Sequence, residues 1–419
     1  MPPYLHDISK RSAKAFRISI KRILIAIVIG IILGFVGAAF YWCMNLATDF
    51  RTGHWWMIFF LPVCGLLIIW LYRIRHVNED GGTNLVIESV CTKEKLPLQM
   101  APLIFITTVL THLCGGSAGR EGAALQIGGS ISTGIGRLFR VKEDEQDILT
   151  MCGMSAAFSA IFGTPLTAAI FALEVAHVGI MQYAALVPCV ISALTAHGIV
   201  SLFFEQDMGL SVISIPSFNI ENAIIFAVFG ALCAAVSIAF CILLHKTQDL
   251  YRKHIRNIFL RIFLGGCFVL ALTLIFRSQD YNGLGLSMIQ TAFRGDAPPY
   301  AFVFKMILTA LTLGAGYKGG EIVPTFFVGA TFGCLFANLF GLSPSLCAAA
   351  GMGALFCGVT NCPITALLLC FELFGFDGMP FYLLTIAISF LFSGYFGLYR
   401  TQRIVYSKYK TDYINKKAE

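Results

Sequence analysis

Apolar runs long enough to enter or cross a membrane follow one another along almost the whole chain. They lie near 23–47, 55–73, 100–114, 150–174, 180–204, 221–244, 258–276, 301–315, 322–341, 346–374 and 380–399. A crossing helix needs only about 20 residues, so several of these runs have room for two helices. The stretch around 122–137 is shorter and rich in glycine and serine. With 57% hydrophobic and only 13% charged residues, and a mean hydropathy of +0.77, the composition excludes an ordinary soluble domain. The expected fold is an all-α polytopic membrane protein.

The charges that do occur gather at the ends. Lys10, Arg11, Lys14, Arg17, Lys21 and Arg22 precede the first run, and Arg400, Arg403, Lys408, Lys410, Lys416 and Lys417 follow the last. Basic flanks stay on the cytoplasmic side, so both termini are expected in the cytoplasm and the number of crossings to be even. That places the chain in the cell (inner) membrane, with residues 1–20 as a basic cytoplasmic segment, 21–400 as one transmembrane domain and 401–419 as a short tail. About 20 residues after the last run are too few for a regulatory domain. The net charge of +7 suits an anionic inner leaflet. It lacks the interleaved aromatics of a nucleic-acid-binding face. No small-residue cleavage site closes a short apolar region, which argues against a removable signal peptide. Most of the fourteen cysteines lie in apolar runs, as Cys43, Cys64, Cys152, Cys241 and Cys370 do, without a Cys-x-x-Cys pair. They read as small buried hydrophobes.

The chain repeats itself. Gly153-Met154-Ser155-Ala156-Ala157-Phe158, then Pro165-Leu166-Thr167-Ala168 and Glu174, matches Gly351-Met352-Gly353-Ala354-Leu355-Phe356, Pro363-Ile364-Thr365-Ala366 and Glu372 without a gap. Two repeats are expected, about 55–205 and about 220–400. Transporters with two structural repeats form their sites at the repeat interface, from broken helices near the bilayer midplane. Inverted repeats follow if each holds an odd number of crossings.

Three glycine-rich breaks punctuate the runs: Asp80-Gly81-Gly82-Thr83-Asn84-Leu85, Gly119-Arg120-Glu121-Gly122, and Lys318-Gly319-Gly320-Glu321-Ile322-Val323-Pro324. The second and third occupy equivalent places, followed by the small pairs Gly128-Gly129 and Gly329-Ala330. A charged side chain at membrane depth costs at least ~2.5–3.5 kcal/mol and therefore tends to line a polar cavity or an ion path. Irregular backbone at that depth is tolerated only when buried in protein or lining a cavity. A helix starting at such a break presents free N–H groups and its positive end, which is an anion site. A titratable acid beside an anion site points to anion movement coupled to protons.

On these residues the chain resembles the CLC family of anion channels and anion/proton antiporters, across essentially the whole membrane domain. Gly119-Arg120-Glu121-Gly122 is similar to the family's Gly-Lys/Arg-Glu-Gly-Pro motif. The resemblance implies that ionised Glu121 occupies an anion position and swings away when protonated. It further implies two inverted repeats meeting at a central anion site, and a homodimer. Tyr406 resembles the tyrosine that lines the inner end of the family's pathway. The anion-binding set implied is Gly82, Thr83, Asn84, Leu85, Gly119, Arg120, Gly122, Ile322, Val323, Thr325 and Tyr406.

The departures narrow the branch. Thr83 stands where the family's chloride-touching serine falls, and Gly320-Glu321-Ile322-Val323-Pro324 brings an acid into the Gly-x-Phe-x-Pro motif. Ala123 replaces a proline, and Val175 falls near the position of the intracellular proton-transfer glutamate. This combination is similar to the fluoride-exporting branch, implying a secondary active fluoride/proton antiporter. Fluoride holds its hydration shell strongly, so stripping it is costly unless other donors replace the water. Thr83, Asn84 and backbone N–H groups of the breaks are candidate donors. Glu321 is a candidate proton acceptor or partner for hydrogen fluoride; the structural alternative is a helix-start acid beside Lys318. For Tyr406 the alternative is an interfacial anchor. Arg120 reads more simply as orienting the loop or pairing with an acid than as touching the ion. Glu174 and Glu372 are expected to satisfy helix ends in the opposite repeat.

Chloride/proton exchange and a passive anion channel are the competing functions within the same fold. An enzyme has little support. The chain has no His-Glu-x-x-His and no phosphate-binding Gly-x-x-x-x-Gly-Lys. The match Gly115-Gly116-Ser117-Ala118-Gly119 follows a membrane-helix run, not a hydrolase strand. The eight histidines show no ligand spacing, so neither a metal nor another cofactor is expected.

Overall fold

The computed structural model describes residues 3–75, 81–92, 94–205 and 209–419, with side chains from residue 18 onward except that of residue 144. Asp80 of the first break and the side chains of Lys10, Arg11, Lys14 and Arg17 lie outside the described residues. Among the described residues sixteen α-helices run in order. The first half holds α1 (Pro3–Gly53), α2 (Leu61–Ile74), α3 (Gly82–Thr92), α4 (Met100–Leu113), α5 (Glu121–Leu138), α6 (Gln146–Phe162), α7 (Pro165–Glu174) and α8 (Leu186–Val200). The second holds α9 (Ile220–His254), α10 (Ile258–Phe276), α11 (Leu286–Arg294), α12 (Ala301–Ala315), α13 (Ile322–Phe340), α14 (Pro344–Thr360), α15 (Pro363–Phe374) and α16 (Met379–Phe392).

Six segments among the described residues are long and apolar enough to cross a membrane, while α4, α6, α7, α12, α14, α15 and α16 are apolar but shorter. Two of the sequence runs do hold two helices. α6 stops at Gly163, in the left-handed region at φ 71°, and Pro165 restarts the chain as the first residue of α7. At the equivalent place α14 stops at Asn361, φ 59°, and Pro363 opens α15. Proline suits the first helical turn because its missing N–H would have no intrahelical partner there.

The small pairs noted in the sequence are helix crossings. A Cβ added to Gly128 on α5 would stand 2.2 Å from the Gly153 carbonyl oxygen on α6. One added to Gly329 on α13 would stand 2.5 Å from that of Gly351 on α14. Small residues let membrane helices approach backbone to backbone, so the repeat in sequence is a repeat in packing. The glutamates complete it. Glu372 Oε1 and Oε2 accept the N–H groups of Leu166 and Thr167 at the start of α7, at 2.9 and 2.8 Å. Glu174 accepts those of Ile364 and Thr365 at the start of α15, at 3.3 and 2.9 Å, with the Thr365 hydroxyl at 2.6 Å. Each acid closes the helix start of the opposite repeat, as expected from the sequence.

One part departs from an all-helical chain. The tail forms β2 (Arg403–Tyr406) and β3 (Tyr413–Lys417), an antiparallel pair whose first strand also runs parallel to a two-residue strand, β1 (His177–Val178), after α7. Lys408, between β2 and β3, inserts its ammonium among the helix ends, donating to Asn361 Oδ1 at 2.6 Å, the Phe390 carbonyl at 3.1 Å and Ser393 Oγ at 3.0 Å. Burial pushes its pKa down to about 8.

Candidate functional site

The second and third breaks meet at the centre of the molecule. Gly119 N–H donates to the Gly320 carbonyl at 2.7 Å, and Gly320 N–H donates back to the Gly119 carbonyl at 2.9 Å. This isolated antiparallel bridge joins the two repeats. It brings the start of α5 beside the start of α13, and both helices point free N–H groups at the junction.

Glu121 fills that junction. Its Oε1 accepts the Val323 N–H at 2.9 Å, and its Oε2 accepts the Arg120 N–H at 2.8 Å. The side chain is fully buried. A carboxylate held by backbone donors of a helix start occupies the place of an anion, since the donors see only a negative oxygen. Gly122 backs the site closely, with the Gly320 backbone on one side and Thr83 Oγ1 on the other.

The first break supplies the neighbouring wall. Gly82 begins α3 at φ 48°, a conformation that L side chains rarely adopt. Thr83 is buried, and its hydroxyl has no hydrogen-bond partner. Asn84 Oδ1 accepts from the Thr401 N–H and hydroxyl, each at 3.3 Å. Leu85 N–H closes back on the Gly81 carbonyl at 3.0 Å and is therefore committed. Thr83, Asn84, Gln126, Lys318 and Glu321 line a cavity of about 110 Å³ that also reaches His245 and Arg400. It opens on the face that carries the tail.

Glu321 stands at the N-cap position of α13 but makes no capping hydrogen bond. Its Oε2 is enclosed and unpartnered, and its side chain belongs to the cavity wall. Its place at a helix start is the one the structural alternative gave it, without a side-chain capping bond. The Lys318 ammonium lies 4.5 Å from the Tyr72 ring centroid.

Two residues, Thr325 and Tyr406, sit differently from the expectation, while the Arg120 side chain keeps away from the ion's place as expected. Arg120 contributes its backbone N–H, whereas its guanidinium turns to the Ile161 carbonyl at 3.3 Å and lies 4.8 Å from the Tyr41 ring centroid. The Thr325 hydroxyl donates to the Glu321 carbonyl at 2.9 Å inside its own helix. Tyr406 is not in the site. It is 44% exposed on β2 and packs edge-on against Tyr413, because the tail turns into a strand that carries it away from the helix junction. The tyrosine at the centre is Tyr399, 1% exposed, with an unpartnered hydroxyl in electrostatic reach of Glu321 and Glu121. The one sequence signal for it was the irregular, glycine-containing stretch Gly394–Gly397 just before it.

Sequence reasoning also missed the polar lining beyond the bridge. Lys305, fully buried on α12, donates to the carbonyls of Gly283 at 2.7 Å and Tyr281 at 3.1 Å. His112, buried on α4, holds its ring between the carbonyls of Thr108 and Ala118.

A family model described as voltage gated chloride channel matches residues 64–394. A chloride/fluoride channel protein of Pseudomonas syringae pv. tomato is 32% identical over 93% of this chain and 88% of its own length. An H(+)/Cl(-) exchange transporter of Vibrio cholerae is 28% identical, over 83% of this chain and 81% of its own. Among solved structures, a CLC-type fluoride/proton antiporter superposes with a TM-score of 0.88 at 31% identity, covering 91% of this chain and 97% of that one.

Proposed function

Because the chain belongs to the voltage gated chloride channel (CLC) family, we propose that it is a fluoride/proton antiporter that exports fluoride from the cell, with Glu121 as its protonatable gate and Glu321 as a second proton-handling acid. The observation that carries this reading is the pairing of the two acids at one bridge. Glu121 occupies the backbone donors of α13, and Glu321, on the adjoining residue of the other break, keeps Oε2 free toward the cavity.

The mechanism follows from charge and donors. Ionised Glu121 is held by charge-assisted hydrogen bonds from Val323 and Arg120, roughly twice as strong as neutral ones. Protonation removes that advantage and frees the donors for a mobile anion. Fluoride arriving through the cavity meets Thr83 and Asn84 first and the N–H groups of the junction next, exchanging water for donors without passing through an undressed state. Glu321 takes a proton, or hydrogen-bonds hydrogen fluoride, where fluoride passes. The proton leaves toward the tail side as fluoride moves outward. The fluoride/proton antiporter whose structure superposes so closely supports the same reading. A homodimer with both termini in the cytoplasm belongs to this proposal.

The second reading is chloride/proton exchange, favoured by the exchange transporter that matches over 83% of the chain. Purified protein in liposomes under a proton gradient separates the two. Fluoride efflux well above chloride efflux is expected; strong chloride transport with little fluoride transport overturns the proposal.

A further inference from the structure

A second cavity, of about 770 Å³, opens at the far end of α1 and is lined by Asn45, Thr52, Trp55, Arg277 and Asn282, with Arg51 at its floor. The two cavities stand at opposite ends of α10: Arg261 near its start lines the Glu321 cavity, and Thr273 and Leu274 near its end line the second.

Arg51 is 5% exposed, and its Nε has no hydrogen-bond partner. Its one described hydrogen bond runs from Nη1 to Gln279 Oε1, at 3.4 Å. The guanidinium lies against Gly283, where a Cβ would come within 3.0 Å of Nη2, and its stem lies beside Gly115. From there the second break descends to Glu121 along a wall of paired polar groups. Asn282 Nδ2 donates to the Gly115 carbonyl at 2.7 Å, Gly283 N–H donates to the Gly116 carbonyl at 3.1 Å, and the Ser117 hydroxyl donates to the Tyr281 carbonyl at 2.9 Å. Lys305 donates to Gly283 and Tyr281 from behind the same wall.

Two buried cations thus flank the segment that leads from the open cavity to Glu121. Among the described residues their side-chain hydrogen bonds go to neutral oxygens, while Lys305 also lies 5.1 Å from the Phe327 ring centroid and within electrostatic reach of Glu121. Burying Arg51 without a counter-charge is costly, and a mobile anion relieves that cost. Asp49 and Asp280, the acids that line the cavity, are exposed and are screened by solvent, whereas Arg51 acts at the enclosed floor.

We infer that Arg51 forms an outer anion station, a site for a small inorganic monoanion between the Glu121 junction and the solution beyond the membrane, with its guanidinium as the positive donor and Lys305 as the supporting charge. The inference rests on the transport reading above for its place in the pathway, but the binding site itself does not depend on proton coupling.

The test is calorimetric titration of the full-length protein in detergent micelles with fluoride and with chloride at fixed ionic strength, comparing wild type, Arg51→Gln and Arg51→Lys. The expected result is a saturable site in wild type and Arg51→Lys that weakens at least tenfold in folded Arg51→Gln. Flux in liposomes is expected to slow several-fold in that variant, with the anion-to-proton ratio unchanged. An unaltered isotherm overturns the station, and so does a changed ratio, which would move Arg51 into the coupling machinery. If Arg51→Gln does not fold, Thr52→Cys on the exposed wall of the same cavity replaces it. An anionic thiol reagent there is expected to slow flux several-fold more than a neutral one, against the unmodified parent. Equal effects overturn the proposal. If fluoride/proton exchange itself is absent, the isotherms still report on Arg51.

Discussion

Glu121 Oε1 accepts the backbone N–H of Val323 at 2.9 Å, across 202 residues of sequence. The acid of one repeat therefore rests on the helix start of the other. Glu121→Gln keeps the shape and removes the charge that this bond uses. The prediction is loss of fluoride-driven proton flux by on the order of tenfold or more, since a charge-assisted bond and the titrating group go together. Proton uptake recorded with a pH electrode in a liposome suspension checks it, and undiminished uptake removes Glu121 from the gate.

Glu321 is predicted to matter through its free carboxylate oxygen, not through capping. Glu321→Ala should lower fluoride turnover on the order of tenfold while leaving thermal stability nearly unchanged, because no capping bond is lost. Wild-type turnover in a fluoride-electrode assay would leave the residue without a part in transport. A large fall in Tm with normal turnover would restore the helix-cap role.

Glu174 and Glu372 should show the opposite pattern. Each accepts N–H groups at the start of a helix in the other repeat. Glu174→Ala and Glu372→Ala each remove hydrogen bonds to a carboxylate, worth about 1.5–3 kcal/mol apiece, and Glu174→Ala also orphans the buried Thr365 N–H. Thermal unfolding in detergent should fall in both variants, with turnover of the surviving folded protein retained. Stability indistinguishable from wild type in both would contradict the capping assignment.

Lys408 gives a pH signature outside the membrane-spanning helices. Its pKa in the folded protein, about 8, lies below its ordinary 10.5 because burial disfavours the ammonium. Between those values the unfolded chain holds the proton more tightly, so stability rises with pH across that window; below it the burial cost is fully present. The Tm of wild type relative to Lys408→Met should therefore climb as pH is raised from about 8 toward about 10. A difference that stays flat would mean that Lys408 titrates as an exposed lysine does.

The two repeats were legible because their determinants are short-range. Proline at a helix start, glycine at a crossing and a glutamate that closes a helix end each need one residue type at one place, and all recur without a gap. The glycine breaks around Glu121 and Glu321 were legible for the same reason, as was the reciprocal use of Glu174 and Glu372. Tyr399 was not. Its position depends on the chain leaving α16 irregularly, and Tyr406 belongs to a strand that pairs with His177–Val178, far away in sequence. Arg51 and Lys305 escaped notice because a lone cation at the edge of an apolar run looks like a membrane boundary. Only the folded chain brings both beside the descending segment 115–121.

The exchange of two hydrogen bonds between Gly119 and Gly320 also limits how this molecule can move. Transporters built from two repeats often work by rocking one against the other. On the transport reading proposed above, such rocking would have to break both bonds at the point proposed for the anion. On that reading the bridge acts as a fixed axis and alternation falls to side chains turning around it, rotations that are intrinsically faster than domain motion.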